Sequence, residues 1–216
     1  MLKIKIKASD ITNLTDARYF AAKEVEWLCF NFTEGAASYI DPMKARAIFE
    51  WVEGPTIVGE FDNASADEIN FYTEGWGLQA VQVGFLMPID TIKAIRNMPI
   101  IRDIWIEEFT NPDFLVQELT AYAPHIEVFQ LNFDKNNITW ADLKHPNAMI
   151  TVEDLKDICQ KFKIILGIDF QSNMLDEILE LNLYGLNVKG GEEERIGVKS
   201  YDELDEILDA IVETEY

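Results

Sequence analysis

Cysteine, histidine and basic residues are scarce: two cysteines, two histidines and 18 Lys and Arg among 216 residues. Cys29 and Cys159 lie too far apart to suggest a disulfide framework, and His125 and His145 lie far from both, so no zinc-ligand spacing emerges. Long hydrophobic runs are also missing. The longest, "FKIILGI", falls well short of membrane-spanning length. At the N-terminus Lys3, Lys5 and Lys7 alternate with apolar residues instead of preceding an apolar block, so no secretory signal is read there and a cytoplasmic location is expected. No Pro/Gly/Ser linker divides the chain, and no G-x-G-x-x-G follows any strand-like run.

Acidic residues are abundant instead. Thirty-nine Asp and Glu give a net charge of −21 at pH 7. Such a balance excludes nucleic acid and anionic membranes as partners, because both require Lys and Arg against phosphate. A hydrophobic content of 48%, with 12% aromatics, is ample for a core.

Short β-like runs alternate with amphipathic segments from end to end. The strand candidates are "LKIKIKA", "EWLCFNF", "TIVGEF", "LQAVQV", "IIRDIWI", "IEVFQLNF", "FKIILGI" and "GLNV". Each is rich in apolar, β-branched or aromatic residues, as strands buried on both faces are. Helical patterns separate them, from "TDARYFAAKE", with Thr15 or Asp16 as its cap, to "SYDELDEILDAIVE". In "DPMKARAIFEWV", Asp41 is the N-cap and Pro42 the first helical residue. Connections are short except "DKNNITWADLKHPNAM" after the sixth strand. Strict β/α alternation implies a parallel sheet with right-handed crossovers. Eight units in this length imply one domain over residues 1–216, an α/β fold closed as an eight-stranded parallel (β/α)8 TIM barrel. An open doubly wound sheet is the alternative. Trp76, Phe85 and Trp140 fall in loops and are expected to be exposed.

The segment "ITNLTDARYFAAKEVEWLCFNFTEGAASYIDPMKARAI" resembles the opening of the phosphoribosylanthranilate isomerases, a tryptophan-pathway barrel family whose pattern reads KICGITNLEDA, then GFIF, then SPRYVSPEQA. "VGEFDNAS" is similar to the family's VGVFVNAS, and "LQAVQV" to LDAVQLHG. "GLNVKGGEEERIGVKSYDELDEIL" resembles the family's last βα unit. Order and spacing agree over nearly the whole chain. The resemblance implies an Amadori rearrangement, with a cysteine base on strand one and an aspartic acid ending strand six.

The positions that would carry this chemistry differ. Ser9 stands for the cysteine and Asp10 for the glycine after it, while Asn132 stands for the acid. A serine without a base is a poor proton acceptor, and an amide only hydrogen-bonds. Asp10 and Asp134 are the possible stand-ins, although a regular strand turns Asp10 away from Ser9 and makes it a loop or capping residue. Ser38 replaces the family's carboxylate-pairing arginine, and Ile168 and Asp169 replace two phosphate-loop glycines. Only Lys189, Gly190 and Gly191 retain an anion-binding character. The mouth is expected to carry Asp10, Glu34, Glu60, Asp62, Glu107, Glu108, Asp134, Asp169 and Glu192 to Glu194. Lys7, Arg18, Lys135, Lys189 and Arg195 oppose them. The family register turns Lys3, Lys5, Lys7 and Ser9 into the barrel, with Glu60 on strand three as the candidate partner of Lys7, whereas the rival arrangement sends Leu2, Ile4 and Ile6 inward and the lysines out.

Three functions follow from these residues. The first is an isomerase-like barrel, inactive or repurposed, binding a small molecule at its C-terminal face without a cofactor or resident metal. The second is a working isomerase with displaced acid and base. The third is a different, metal-assisted enzyme that uses the acidic rim.

Overall fold

In the computed structural model, which describes residues 4–190, 193–195 and 198–211, the expected alternation closes on itself. The strands are β1 (Lys5–Ser9), β2 (Trp27–Asn31), β3 (Thr56–Phe61), β4 (Ala80–Gly84), β5 (Ile100–Trp105), β6 (Val128–Asn132), β7 (Ile164–Gly167) and β8 (Gly185–Lys189). They form one closed parallel barrel in sequence order, β8 pairing with β1. All eight expected strands are present, and the open-sheet alternative is not the fold.

Helices α1 (Leu14–Ala22), α2 (Pro42–Phe49), α3 (Ala66–Gly75), α4 (Ile89–Ala94), α5 (Pro112–Tyr122), α6 (Val152–Lys161), α7 (Leu175–Leu179) and α8 (Asp202–Ile211) fill the connections. Local chemistry fixes their starts. The Asp41 carboxylate accepts from the Met43 and Lys44 N–H groups, with Pro42 at the first helical position. Thr151 and Asp154 form a reciprocal capping box at α6. At α1 the cap is Asn13, not the expected Thr15 or Asp16. Its side chain accepts from the Asp16 N–H and donates to the Asp16 carboxylate. A two-stranded antiparallel ribbon, β9 (Glu193–Arg195) with β10 (Val198–Lys199), follows β8 and was not expected from the sequence.

Apolar residues on the outward faces of the strands, such as Ile6, Leu28, Val81, Val83, Leu131 and Leu166, pack with the helices into one large core. At about 1.5–3 kcal/mol for each buried aliphatic side chain, this shell is the main stabilising term of the fold. The inward faces are different. Trp27, Cys29, Val58, Ala80, Ile101, Val128 and Ile165 make a smaller apolar plug at the lower end. Above it the barrel turns polar, with Lys7, Glu60, Gln82, Asp103, Gln130 and Asn187 all buried. The strands are therefore not apolar on both faces, as their composition suggested.

The long connection after β6 contains two short 3-10 turns, Asp134–Asn136 and Asp142–Lys144. Trp140 within it is fully buried, which corrects the expectation of exposure, and its indole N–H donates to Glu177 on α7 at 3.1 Å. Trp76 and Phe85 are half-buried.

Candidate functional site

Side chains alternate along each strand, so Lys5, Lys7 and Ser9 share the inward face of β1, as the register required. Lys7 is fully buried, with its ammonium 3.1 Å from Glu60 Oε1 and 3.1 Å from Asn187 Oδ1. The expected Lys7–Glu60 pair is thus present. Lys5, one step lower, pairs with Glu26 at 2.7 Å and lies over the rings of Trp27 and Tyr184. Lys3 lies outside the described residues.

The strand registers bring Ser9, Glu60, Asp103 and Gly167, from alternate strands, to one level near the C-terminal end of the barrel. Asp103 was not anticipated as a site residue. It is buried, and its carboxylate accepts from Gln130 Nε2 at 2.9 Å, Trp105 Nε1 at 2.9 Å and Asn132 Nδ2 at 3.1 and 3.2 Å. Burial pushes its pKa up to about 6, against the pull of Lys7, Trp105 and Asn132. The signal in "IIRDIWI" is partial, a charge of each sign inside an apolar strand. Yet Arg102 is buried as well, bonded outward to Glu118 on α5, so alternation along this strand shows that the two charges face opposite ways without saying which one enters the barrel.

Ser9 is buried, and its hydroxyl donates to the Val188 carbonyl at 3.4 Å. Among the described residues no basic side chain hydrogen-bonds to it. Asn132 ends β6 as expected, but its amide is committed to Asp103. Asp10 follows β1 with φ +60, in the left-handed region where the family motif has glycine. That backbone geometry carries Asp10 into the mouth, half-buried, and Asn13 does the capping it was expected to share.

Ser38 receives a hydrogen bond from Asn31 Nδ2 at 3.1 Å, which ties the β2–α2 loop to the barrel top. Asp134 pairs with Lys189 at 3.0 Å, so the cation that ends the last barrel strand is already held by a carboxylate. Gly190 is half-buried, whereas Gly191 and Glu192 lie outside the described residues. Ile168 is buried and Asp169 exposed, and the Asp169 carbonyl accepts from the Trp140 N–H.

The mouth holds a cavity of about 370 Å³, lined among others by Asp10, Glu34, Ser38, Asp62, Trp105 and Lys135. Glu107 and Glu108 do not join it. They line a separate cavity of about 420 Å³ with Asp142 and His145, formed by the long connection after β6. Arg18 is exposed on α1. Both thiols are buried, and burial raises the pKa of Cys159 to about 12 and that of Cys29 further, so neither is a nucleophile at neutral pH. Among the described residues no group of three or more His, Cys, Asp or Glu side chains is arranged to hold a metal ion. The described residues also contain no helix long and apolar enough to cross a membrane.

A closed parallel (β/α)8 barrel with a polar upper interior and a cavity over its C-terminal face is a TIM barrel. Within that class, the chain is similar along nearly its whole length to N-(5'-phosphoribosyl)anthranilate isomerases. The one from Chlorobium chlorochromatii is 28% identical over 203 residues, 90% of each chain. That from Chlorobaculum parvum is 26% identical over 219 residues, 98% of this chain and 96% of its own. Among solved structures, the phosphoribosyl anthranilate isomerase of Thermus thermophilus superposes with a TM-score of 0.73 at 25% identity, covering 95% of this chain and 97% of that one. The Thermotoga maritima enzyme shares the fold, with a TM-score of 0.75 at 20% identity, covering 95% of this chain and 97% of its own. No family model matches the chain.

Proposed function

We propose that this chain is a phosphoribosylanthranilate isomerase-like barrel that does not carry its relatives' isomerisation and has been repurposed to act on, or bind, a different small molecule at its mouth. One observation carries the reading. Both positions expected to move protons hold groups that only hydrogen-bond, the Ser9 hydroxyl on the Val188 carbonyl and the Asn132 amide on Asp103. Neither titrates near neutral pH. The residues described at the expected phosphate-binding positions support it. Ile168 packs into the core, Asp169 adds a negative charge beside it, and Lys189 is held by Asp134. Ser38 offers a hydroxyl where pairing a ligand carboxylate would call for a cation. In this reading the protein works in the cytoplasm, without nucleic-acid or membrane partners.

A solved isomerase is described in complex with reduced 1-(o-carboxyphenylamino)-1-deoxyribulose 5-phosphate. Titration of this protein with that compound, followed by tryptophan fluorescence, is the direct test. No binding at millimolar ligand is expected, together with failure to rescue an isomerase-deficient tryptophan auxotroph. Micromolar binding, or rescue, would overturn the proposal.

The second reading, a working isomerase with displaced groups, has one observation in its favour. Asp103 titrates near 6 and touches the Asn132 amide. Asp10 lines the mouth, whereas Asp134 is tied to Lys189, so Asp10 is the better-placed stand-in. Rescue that disappears in Asp103→Asn or Asp10→Asn would establish this reading.

A further inference from the structure

The buried charges of the upper barrel do not balance. Lys7 brings one positive charge against two carboxylates, Glu60 and Asp103, and none of the three is more than 6% exposed. Glu60 Oε1 takes the Lys7 ammonium at 3.1 Å, and among the described residues Asp103 has no ion pair of its own. Burial acts most strongly on Asp103, with Lys7 on β1 and Glu60 on β3 pulling in opposite directions. From β2 the Cys29 thiol, kept protonated by burial, faces Lys7. The strands β4, β6 and β7 carry no charged side chain, and β8 carries none below Lys189. At the mouth above, Lys135 lies against the Trp105 ring, and Asp10 and Asp62 line the same cavity. One proton on Asp103 would therefore make the interior neutral.

The hydrogen bonds around Asp103 say where that proton goes. Oδ2 accepts from the Trp105 indole N–H at 2.9 Å, and an indole only donates, so a proton on Oδ2 finds no acceptor there. Oδ1 accepts from Gln130 Nε2 at 2.9 Å. Asn132 Nδ2 spans both oxygens, and its own Oδ1 accepts from the Lys135 backbone N–H at 3.3 Å, which holds that amide in one orientation. Gln130 is not held in this way. It is 2% exposed, and its Oε1 is buried without a hydrogen-bond partner. A half-turn of its amide breaks no bond at Oε1 and presents that oxygen to Asp103. A carboxylic acid donates to it there, whereas a carboxylate cannot. The amide thus has one favoured orientation for each charge state of Asp103.

We infer that Asp103 and Gln130 form a proton-driven switch under the mouth: a proton on Asp103 Oδ1 turns the Gln130 amide over, so that Oε1 accepts from the new O–H, and loosens the Trp105 wall. The loosening follows from charge. A hydrogen bond to an ionised carboxylate is roughly twice as strong as one between neutral groups, and Trp105 keeps only the weaker kind when Asp103 is neutral. Trp105 lines the cavity with Lys135 against its ring, so the change is felt at the mouth. The device is independent of which ligand the mouth takes.

Nitrogen–proton correlation spectra of the full chain, recorded without ligand between about pH 5 and about pH 8, test the switch. The Trp105 indole N–H is assigned by its loss in Trp105→Phe. This signal and the Gln130 side-chain amide are expected to shift together, with one midpoint near pH 6. The Gln130 proton should move upfield on acidification, as it leaves the carboxylate. Asp103→Asn should abolish both shifts. Histidine titrates in the same range, so His125→Gln and His145→Gln are the controls and should leave both curves unchanged. Should Asp103→Asn fail to fold, the aspartate carboxyl carbons of the parent take its place, and one of them must share the midpoint. An invariant Trp105 indole, or curves that survive in Asp103→Asn or vanish with a histidine, would overturn the inference. So would a Trp105 curve without a Gln130 curve, or no aspartate carbon sharing the midpoint.

Discussion

Asn132 donates its side-chain amide to both oxygens of Asp103, at 3.1 and 3.2 Å. The residue at the expected acid position of β6 is thereby turned into an anchor for a buried carboxylate on β5. With donors from Trp105 and Gln130 as well, Asp103 is a satisfied anion whose neighbours are oriented around it. The same bonds hold Trp105 as a wall of the mouth.

The anchor makes Asn132→Asp informative. Two carboxylates about 3 to 4 Å apart at an effective dielectric of ~20 repel by about 4 kcal/mol, so they retain one proton between them. Urea denaturation should show the variant strongly destabilised at pH 7 and close to the parent at pH 4.5, where the pair is protonated. A deficit independent of pH would mean that the two groups do not face each other.

Asp103 itself links stability to pH. Its folded pKa is about 6, raised by burial from an ordinary 3.8. A raised carboxyl binds its proton more tightly in the folded state, so its contribution is favourable below the unfolded value. That contribution is lost as pH rises from about 4 to about 6. Two units correspond to roughly 3 kcal/mol at most. Asp103→Asn removes this slope. The stability of the parent minus that of the variant should therefore be larger at pH 4 than at pH 7, and a flat difference would count against a shifted Asp103.

The fold was legible because it rests on alternation. β-branched runs and capped amphipathic segments are local patterns, and "DPMKARAIF" carried its helix start in two residues. The Lys7–Glu60 pair was legible too, since parity in "LKIKIK" sends three lysines one way and buried lysine demands a carboxylate. What escaped was the rest of the polar interior. Gln82, Asp103, Gln130 and Asn187 sit singly in four strands, and each strand alone looks apolar. Only the closed barrel's register shows that they meet. Trp140 was misread for a related reason. A loop sequence gives no sign that it folds back beneath α7, where Glu177 takes the indole N–H.

Lys7 has no exposed atom to rehydrate, so its pair with Glu60 is all or nothing. Lys7→Met leaves Glu60 and Asp103 buried without a cation and should cost about 3–5 kcal/mol. Lys7→Met with Glu60→Gln removes the stranded charge on β3 and should recover a large part of that loss. A double-mutant cycle by chemical denaturation measures the coupling, and additive losses would show that the two side chains act independently.

Asp10 sits at φ +60, a backbone conformation that glycine adopts without penalty and a side-chain-bearing residue does not. Asp10→Gly should therefore stabilise the protein by about 0.5–1 kcal/mol even after glycine's greater unfolded-state entropy, and Asp10→Val should destabilise it by about 1–2 kcal/mol. The carboxylate lost in Asp10→Gly lines the mouth beside Glu34 and Asp62. Urea midpoints at pH 7, measured for both variants beside the parent, should move in these opposite directions. Were Asp10→Gly to lower the midpoint instead, contacts of the Asp10 side chain at the mouth would outweigh the cost of its backbone conformation.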